Sequence, residues 1–304
     1  MESTVMEVKG ITKKYREHAA LDNISLKLEK GKIYGFIGQN GAGKTTLIRL
    51  ITGLAFPTSG EISLWGMTGE AELQKQRKRI GSLIESPALY PYMTAYQNME
   101  VQRIQKGIPD KTIIDKTLEL VGLSDTGKKK VRNFSLGMRQ RLGIAIALCG
   151  NPDFLILDEP VNGLDPQGII EIRELILKLN KEQGITVLIS SHILDELAKL
   201  ATHYGFIDKG VIIKEMSAEE LDDACRKSIR MKVSDTGKLA RIMDNMGIEY
   251  SIISDDTADV YSTMKFSDIA AVFAKEGCEI ISMEEHDESL EGFYLSLLGG
   301  EANV

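Results

Sequence analysis

Nine residues, Gly38 to Thr46, constrain this chain more than any other stretch. They read GQNGAGKTT and fit the pattern GxxxxGK[ST]. The context is also the required one: a strand-like apolar run, IYGFI, precedes them, and a helix-patterned run, TTLIRLI, follows. A triphosphate needs many donors at short range. Gly38, Gly41 and Gly43 let the backbone N–H groups of the loop, with Gln39, Asn40 and Ala42 between them, turn inward and approach closely. The helix start adds free N–H groups and a positive dipole end. Lys44 is then placed to reach the outer phosphates, and the Thr45 hydroxyl, with Thr46 beside it, to ligate Mg²⁺.

The rest of the chain supplies a frame for such a loop. VMEVKG, ISLKLEKG, KIYGFIG and TSGEISLWG read as strands. Asn98–Lys106, Lys111–Val121, Gly168–Leu179 and His192–Leu200 read as helices. FLILDEP and GITVLISSH contain continuous apolar runs, as expected of strands buried on both faces. Strands alternating with helices imply an α/β layer architecture with a parallel sheet. Near residue 215 the charge changes. Residues 219–304 hold 19 acidic and 8 basic side chains, a net of −11; the whole chain carries −7, so residues 1–218 carry +4. The tail reads β-α-β-β-α-β over SIRMKV, SDTGKLARIMDNMG, IEYSII, ADVYST, SDIAAVFAKEG and CEIISM, the order of a ferredoxin-like unit. An amphipathic helix, Ser289–Leu298, follows. Two domains are expected, residues 1–217 and 218–304.

Asp158 and Glu159 stand where a buried strand ends, the usual place for ligand contact in an open α/β sheet. Asp158 is suited to hold Mg²⁺, directly or through water, because that ion prefers hard oxygen donors and keeps several waters. Glu159 is the candidate base for the attacking water, and His192, closing another buried strand, can contact the γ-phosphate. A guanine-reading NKxD is absent, since Asn180-Lys181-Glu182-Gln183 lacks the Asp. Tyr15 offers a π face for adenine. Ser135 precedes a helical stretch and is a good N-cap. Its hydroxyl and the helix N–H groups also make a second anion site. One chain already cradles its phosphates at Gly38–Thr46, so this second site suggests phosphates held by another molecule.

Over residues 5–215 the chain resembles the ATP-binding cassette (ABC) ATPases, the nucleotide-binding subunits of transporters. GQNGAGKTT matches the Walker A loop and FLILDEP the Walker B strand. FSLGM stands where the family signature is usually LSGGQ, GLDP with Asp165 matches the D-loop, and SSH the switch histidine. The resemblance implies a P-loop NTPase cassette: a mixed-sheet core, an antiparallel β subdomain and a helical subdomain at about residues 87–150, followed by a small α+β domain. It also implies two cassettes paired head to tail, as a homodimer or a heterodimer, each ATP lying between one Walker A loop and the opposite Ser135–Gly137 segment, and ATP hydrolysis coupled to transport by a separate membrane permease.

Two departures stand out. Leu136 and Met138 replace a Gly and a Gln of the common signature, while Ser135 and Gly137 remain. Glu85, after the strand-like IGSLI, falls where most cassettes carry a glutamine. There it is expected to face Mg²⁺ or the attacking water, and its extra negative charge near the γ-phosphate has to be offset by metal. With IESPALYPYMTAYQNM and FSLGMRQRLGIA, this substitution resembles the bacitracin-resistance and lantibiotic-immunity exporters. Tyr90, Pro91, Tyr92 and Met93 either line a groove for the permease or belong to the subdomain core. Lys128–Arg132 reads as a solvated basic face.

Composition narrows the alternatives. No apolar run approaches the roughly 18 residues of a membrane span, and MESTVMEV shows no secretory pattern. Cys149, Cys225 and Cys278 are scattered, which fits a reducing cytoplasm. With the permease that the resemblance implies, the expected location is the cytoplasmic face of the membrane. The acidic tail argues against extended nucleic-acid contact. A soluble non-transport cassette ATPase usually carries two cassettes or a long coiled coil, and this chain has one P-loop and no sustained heptad run. A non-hydrolysing nucleotide sensor is disfavoured by Glu159 and His192.

Overall fold

The computed structural model describes residues 4–225, 228–261, 266–286 and 290–299. The chain divides into two compact units, one ending at Ala218 and the other starting at Glu219.

The first unit opens with a long antiparallel hairpin. β1 (Thr4–Tyr15) and β2 (His18–Glu29) pair from Thr4 opposite Glu29 to Tyr15 opposite His18. Both strands run well past the pieces visible as VMEVKG and ISLKLEKG, because each keeps finding a ladder partner in the other. β4 (Ser59–Leu64) adds to the far edge of β1, giving a three-stranded antiparallel sheet. Against it packs a six-stranded mixed sheet. β3 (Ile33–Ile37), β5 (Ile80–Leu83), β6 (Phe154–Asp158), β7 (Thr186–Ser191) and β8 (His203–Asp208) are parallel, and β9 (Val211–Ser217) turns back antiparallel on β8; the order is β5-β6-β7-β3-β8-β9. β3, β6 and β7 are buried at every position, which is why their sequences read as unbroken apolar runs. Phe36, Phe154, Ile156 and Leu188 from this sheet share one core with Val8, Ile24 and Ile62 of the hairpin sheet and with Leu47 and Ile48 of α1 (Lys44–Ile51).

Between β5 and β6 lies the helical part: α3 (Ala95–Gln105), α4 (Thr112–Leu120) and α5 (Leu136–Leu148). α3 starts three residues before the expected Asn98 because Thr94 and Gln97 form a reciprocal capping box. α6 (Pro166–Gln183) follows β6. The helix after β7 is shorter than His192–Leu200 and runs only from Leu194 to Ala198 (α7). α2 (Glu70–Arg77), β8 and β9 have no counterpart in the sequence reading. α2 buries only Leu73 and β9 only Met216, so neither shows a clear apolar period.

The second unit begins within α8 (Ala218–Ala224) and contains β10 (Ser228–Val233), α9 (Thr236–Met246), β11 (Glu249–Ile252), β12 (Thr257–Tyr261), α10 (Phe266–Lys275), β13 (Ile280–His286) and α11 (Leu290–Gly299). Its sheet is antiparallel throughout in the order β11-β12-β10-β13, the expected ferredoxin-like arrangement. Ile229, Met231, Val233, Ala258 and Val260 face Leu239, Ile242 and Phe273 in a separate core. On the other face Arg230 forks onto Asp259 directly across the ladder, both bonds at 2.7 Å. The end of the expected strand ADVYST, at residues 262–263, and Ser289 lie outside the described residues.

Candidate functional site

The site is assembled by sheet order. β7 lies between β6 and β3, with Asp158 opposite Ser190 and Ile37 opposite Ser191 in register. Three parallel strands therefore deliver their C-terminal ends side by side: β3 leads into Gly38, β6 ends on Asp158, and β7 ends just before His192. This is the edge where open α/β sheets hold ligands.

The loop after β3 is shaped by glycine. Gly41 and Gly43 have φ of +85° and +112°, which side-chain-bearing residues rarely adopt. A Cβ on Gly43 would also lie 2.7 Å from the Ala20 carbonyl oxygen. Gly43 caps α1 without a side-chain hydrogen bond, so the first-turn N–H groups are left for an anion. Lys44 is 5% exposed and curls back on the loop. Its Nζ donates to the carbonyls of Gly38 at 2.6 Å and Gln39 at 3.3 Å. Asn40 and Gly41 are exposed, and Ala42 is buried.

Five of the expected residues converge. Thr45 Oγ1 donates to Asp158 Oδ2 at 2.8 Å. Asp158 is buried, and its other oxygen accepts from Ser190 Oγ. Glu159 Oε1 lies 3.4 Å from Lys44 Nζ, and Oε2 lies 2.7 Å from His192 Nδ1. Glu159 has φ +50°, and its N–H donates to Ser190 O at 3.1 Å and Ser190 Oγ at 3.0 Å. Ser190 thus fixes both carboxylate residues at once. The sequence reading did not single it out, although it lies in the same SSH run as His192.

The donor set suits Mg²⁺. The Thr45 hydroxyl and Asp158 carboxylate are hard oxygen donors already facing each other. Among the described residues no group of three or more His, Cys, Asp or Glu is arranged to hold a metal. One carboxylate and one hydroxyl match an ion that keeps waters and phosphate oxygens in its shell. Glu159 Oε1 is buried without a hydrogen-bond partner, with the Lys44 ammonium 3.4 Å away.

The other expected residues stand elsewhere in the unit. Tyr15 ends β1, exposed, with Lys13 Nζ 4.9 Å from its ring centre. Ser135 is the exposed N-cap of α5 and accepts from Met138 N–H at 3.2 Å. Asp165 caps α6 by accepting from Gly168 N–H at 3.0 Å. These two turns are neighbours: a Cβ on Gly163 would meet Leu136 at 3.2 Å. Gly137 has only an ordinary contact, with Leu164, at 3.9 Å, so the α5 start keeps an open face. Glu85 has φ +58°, and its carboxylate is engaged by Arg49 of α1 at 2.6 Å. The sequence reading had left the offset of its charge to metal alone.

Beside Glu85 opens a cleft of about 590 Å³ lined by Leu83, Pro87, Leu89, Tyr90, Val101 and Ile146, among others. Asn98, buried at its wall, accepts from Tyr90 N–H and donates to the carbonyls of Tyr90 and Thr94. Tyr92 is 73% exposed, not core, with the Arg132 guanidinium over its ring. No described helix is long and apolar enough to cross a membrane.

Comparison with known proteins agrees with this geometry. The ABC transporter family model matches residues 21–162. The bacitracin transport ATP-binding protein BcrA of Bacillus licheniformis is 40% identical over 301 residues, 98% of each chain. The lantibiotic transport ATP-binding protein SrtF of Streptococcus pyogenes is 46% identical over 211 residues, covering 69% of this chain and 90% of its own. Among solved structures, the dimeric post-hydrolysis state of the ATP-binding cassette MJ0796, bound to ADP and Pi, superposes with a TM-score of 0.64 at 28% identity, over 70% of this chain and 98% of that one. With Lys44, Thr45, Asp158, Glu159 and His192 in one cluster, and a relative matched along nearly its whole length, this chain belongs to the ATP-binding subunits of ABC transporters.

Proposed function

We propose that this chain is the ATP-hydrolysing subunit of an exporter that removes an antimicrobial peptide of the bacitracin or lantibiotic kind. The observation that carries the substrate class is the 98% two-way coverage with the bacitracin transport protein, which includes the acidic second unit as well as the cassette.

In this reading the adenine stacks on Tyr15, and the triphosphate lies in the Gly38–Thr46 loop with Lys44 at its outer phosphates. Thr45 and Asp158 would hold Mg²⁺, which supplies neutralisation of the phosphate oxygens. Glu159 orients a water and takes its proton as the water oxygen bonds to the γ-phosphorus and the bond to the β–γ bridging oxygen breaks. Phosphoryl transfer asks mainly for such positioning and charge stabilisation. His192 holds Glu159 from one side and Lys44 from the other, so the base is kept in place by two cations or donors. Ser135, Gly137 and the turn at Asp165 close over the nucleotide held by a second copy. Glu85 and the cleft beside Tyr90 carry closure to a membrane permease, which brings the chain to the cytoplasmic face of the membrane.

The test is co-purification of the chain from solubilised membranes with its permease, then expression of the pair in a sensitive host. Resistance to bacitracin or a lantibiotic that disappears with Lys44→Ala supports the proposal. A pair that hydrolyses ATP yet changes susceptibility to neither class refutes the substrate assignment.

A further inference from the structure

Glu85 carries a charge that the more usual glutamine lacks, and that charge has a partner in the fold. Its Oε1 is 2.6 Å from Arg49 Nη2. Arg49 belongs to α1, the helix that starts with Lys44 and Thr45. The pair therefore ties the loop after β5 to the helix that carries the phosphate-binding side chains. The two side chains are 43% and 61% exposed, so water, salt and a competing cation can all reach the pair. The Glu85 backbone is left-handed at φ +58°, a conformation that a non-glycine residue keeps only where its surroundings hold it. Two residues on, Pro87 is seated against Gly143 of α5, where a Cβ would lie 2.7 Å from Pro87 Cβ. The start of this loop is thus seated on the helix that Ser135 begins, through Pro87, and paired with α1, through Glu85 and Arg49.

We propose that Arg49 is a positioning residue that holds Glu85 at rest, so that a Mg²⁺-nucleotide must take the carboxylate from Arg49 before Glu85 can face the metal. The inference rests on the metal-facing reading of Glu85. Arg49 and Mg²⁺ compete for one carboxylate, and the competition raises the Mg²⁺ concentration needed for closure. A glutamine would meet Arg49 only as a neutral acceptor, a weaker bond than a charge-assisted one, so the latch is a property of the glutamate.

The measurement is the Mg²⁺ concentration for half-maximal binding of a non-hydrolysable ATP analogue to the whole chain, by calorimetry. Arg49→Gln lowers it by about two- to fivefold, the scale of a solvent-exposed ion pair. Arg49→Lys, which keeps the charge, stays near the parent value. In a Glu85→Gln background, Arg49→Gln gives no such decrease. An unchanged midpoint in Arg49→Gln, or the same decrease in both backgrounds, overturns the proposal. In the Arg49→Gln background Glu85→Gln raises the midpoint; no rise there would instead refute the metal-facing reading on which the proposal rests.

Discussion

Replacing Glu159 with glutamine separates binding from chemistry, and the surroundings of that carboxylate set the size of each effect. The substitution keeps side-chain volume and an acceptor oxygen but removes the ability to take a proton. General-base assistance contributes roughly 10²–10⁴ in rate. At about 1.4 kcal/mol per tenfold, that raises the barrier by roughly 3–5 kcal/mol. Folding should be nearly untouched. Lys44 loses an ionic neighbour at 3.4 Å but retains its carbonyl partners at 2.6 and 3.3 Å. Glu159's backbone bonds to Ser190 do not involve the side chain. Removing a negative charge beside a triphosphate also lowers repulsion, so ATP affinity should hold or rise. Single-turnover hydrolysis together with equilibrium ATP binding checks both halves. Parent-like turnover would refute Glu159 as the base, and loss of ATP binding would refute the division of labour between Glu159 and the loop.

Other perturbations probe the supports of the site and the second unit. Asn98→Leu removes the bonds that the buried Asn98 side chain makes to the Tyr90 N–H and to the carbonyls of Tyr90 and Thr94, and should lower the stability of the first unit by about 1–2 kcal/mol in urea unfolding, with faster hydrogen exchange at the Tyr90 amide. In the second unit, Lys232 at 2.9 Å and the hydroxyls of Thr257 and Ser254 hold the Asp256 carboxyl down at about 2, against an ordinary 3.8. A depressed carboxylate stabilises the fold above its unfolded value and loses that contribution as pH falls toward the folded one. Acid titration followed by circular dichroism should therefore show a loss between about pH 4 and pH 2 that is diminished in Asp256→Asn.

Much of this was legible in the sequence because local chemistry forced it. Gly41 and Gly43 had to be glycine for the loop to turn, and the unbroken apolar runs of β6 and β7 announced strands buried on both faces. The position of Asp158 and Glu159 where an apolar strand ends predicted that both would stand at the edge of the sheet, and β6 does end on Asp158. What escaped was non-local or weakly patterned. Arg49 meets Glu85 across 36 positions, and no periodicity links them. Ser190 serves Asp158 only because β6 and β7 are neighbours in register. α2 and β9 lie near the surface with a single buried side chain each, so burial left no period to read. The departures from the common signature fall on Leu136 and Met138 at the start of α5. Leu136 is 42% exposed there, on a face that one chain alone does not cover.

That uncovered face makes the composite site the central claim, and mixing two inactive chains tests it most directly. Lys44→Ala disables a chain's own phosphate loop, and Ser135→Arg disables what it offers to a neighbour. If each nucleotide lies between the two copies, a heterodimer of these variants contains one wholly intact site. The mixture should then regain up to about a quarter of the parental ATPase rate, since half of randomly paired dimers are mixed and each holds one working site. No recovery on mixing, or a Ser135→Arg chain that hydrolyses ATP at the parental rate by itself, would contradict the account.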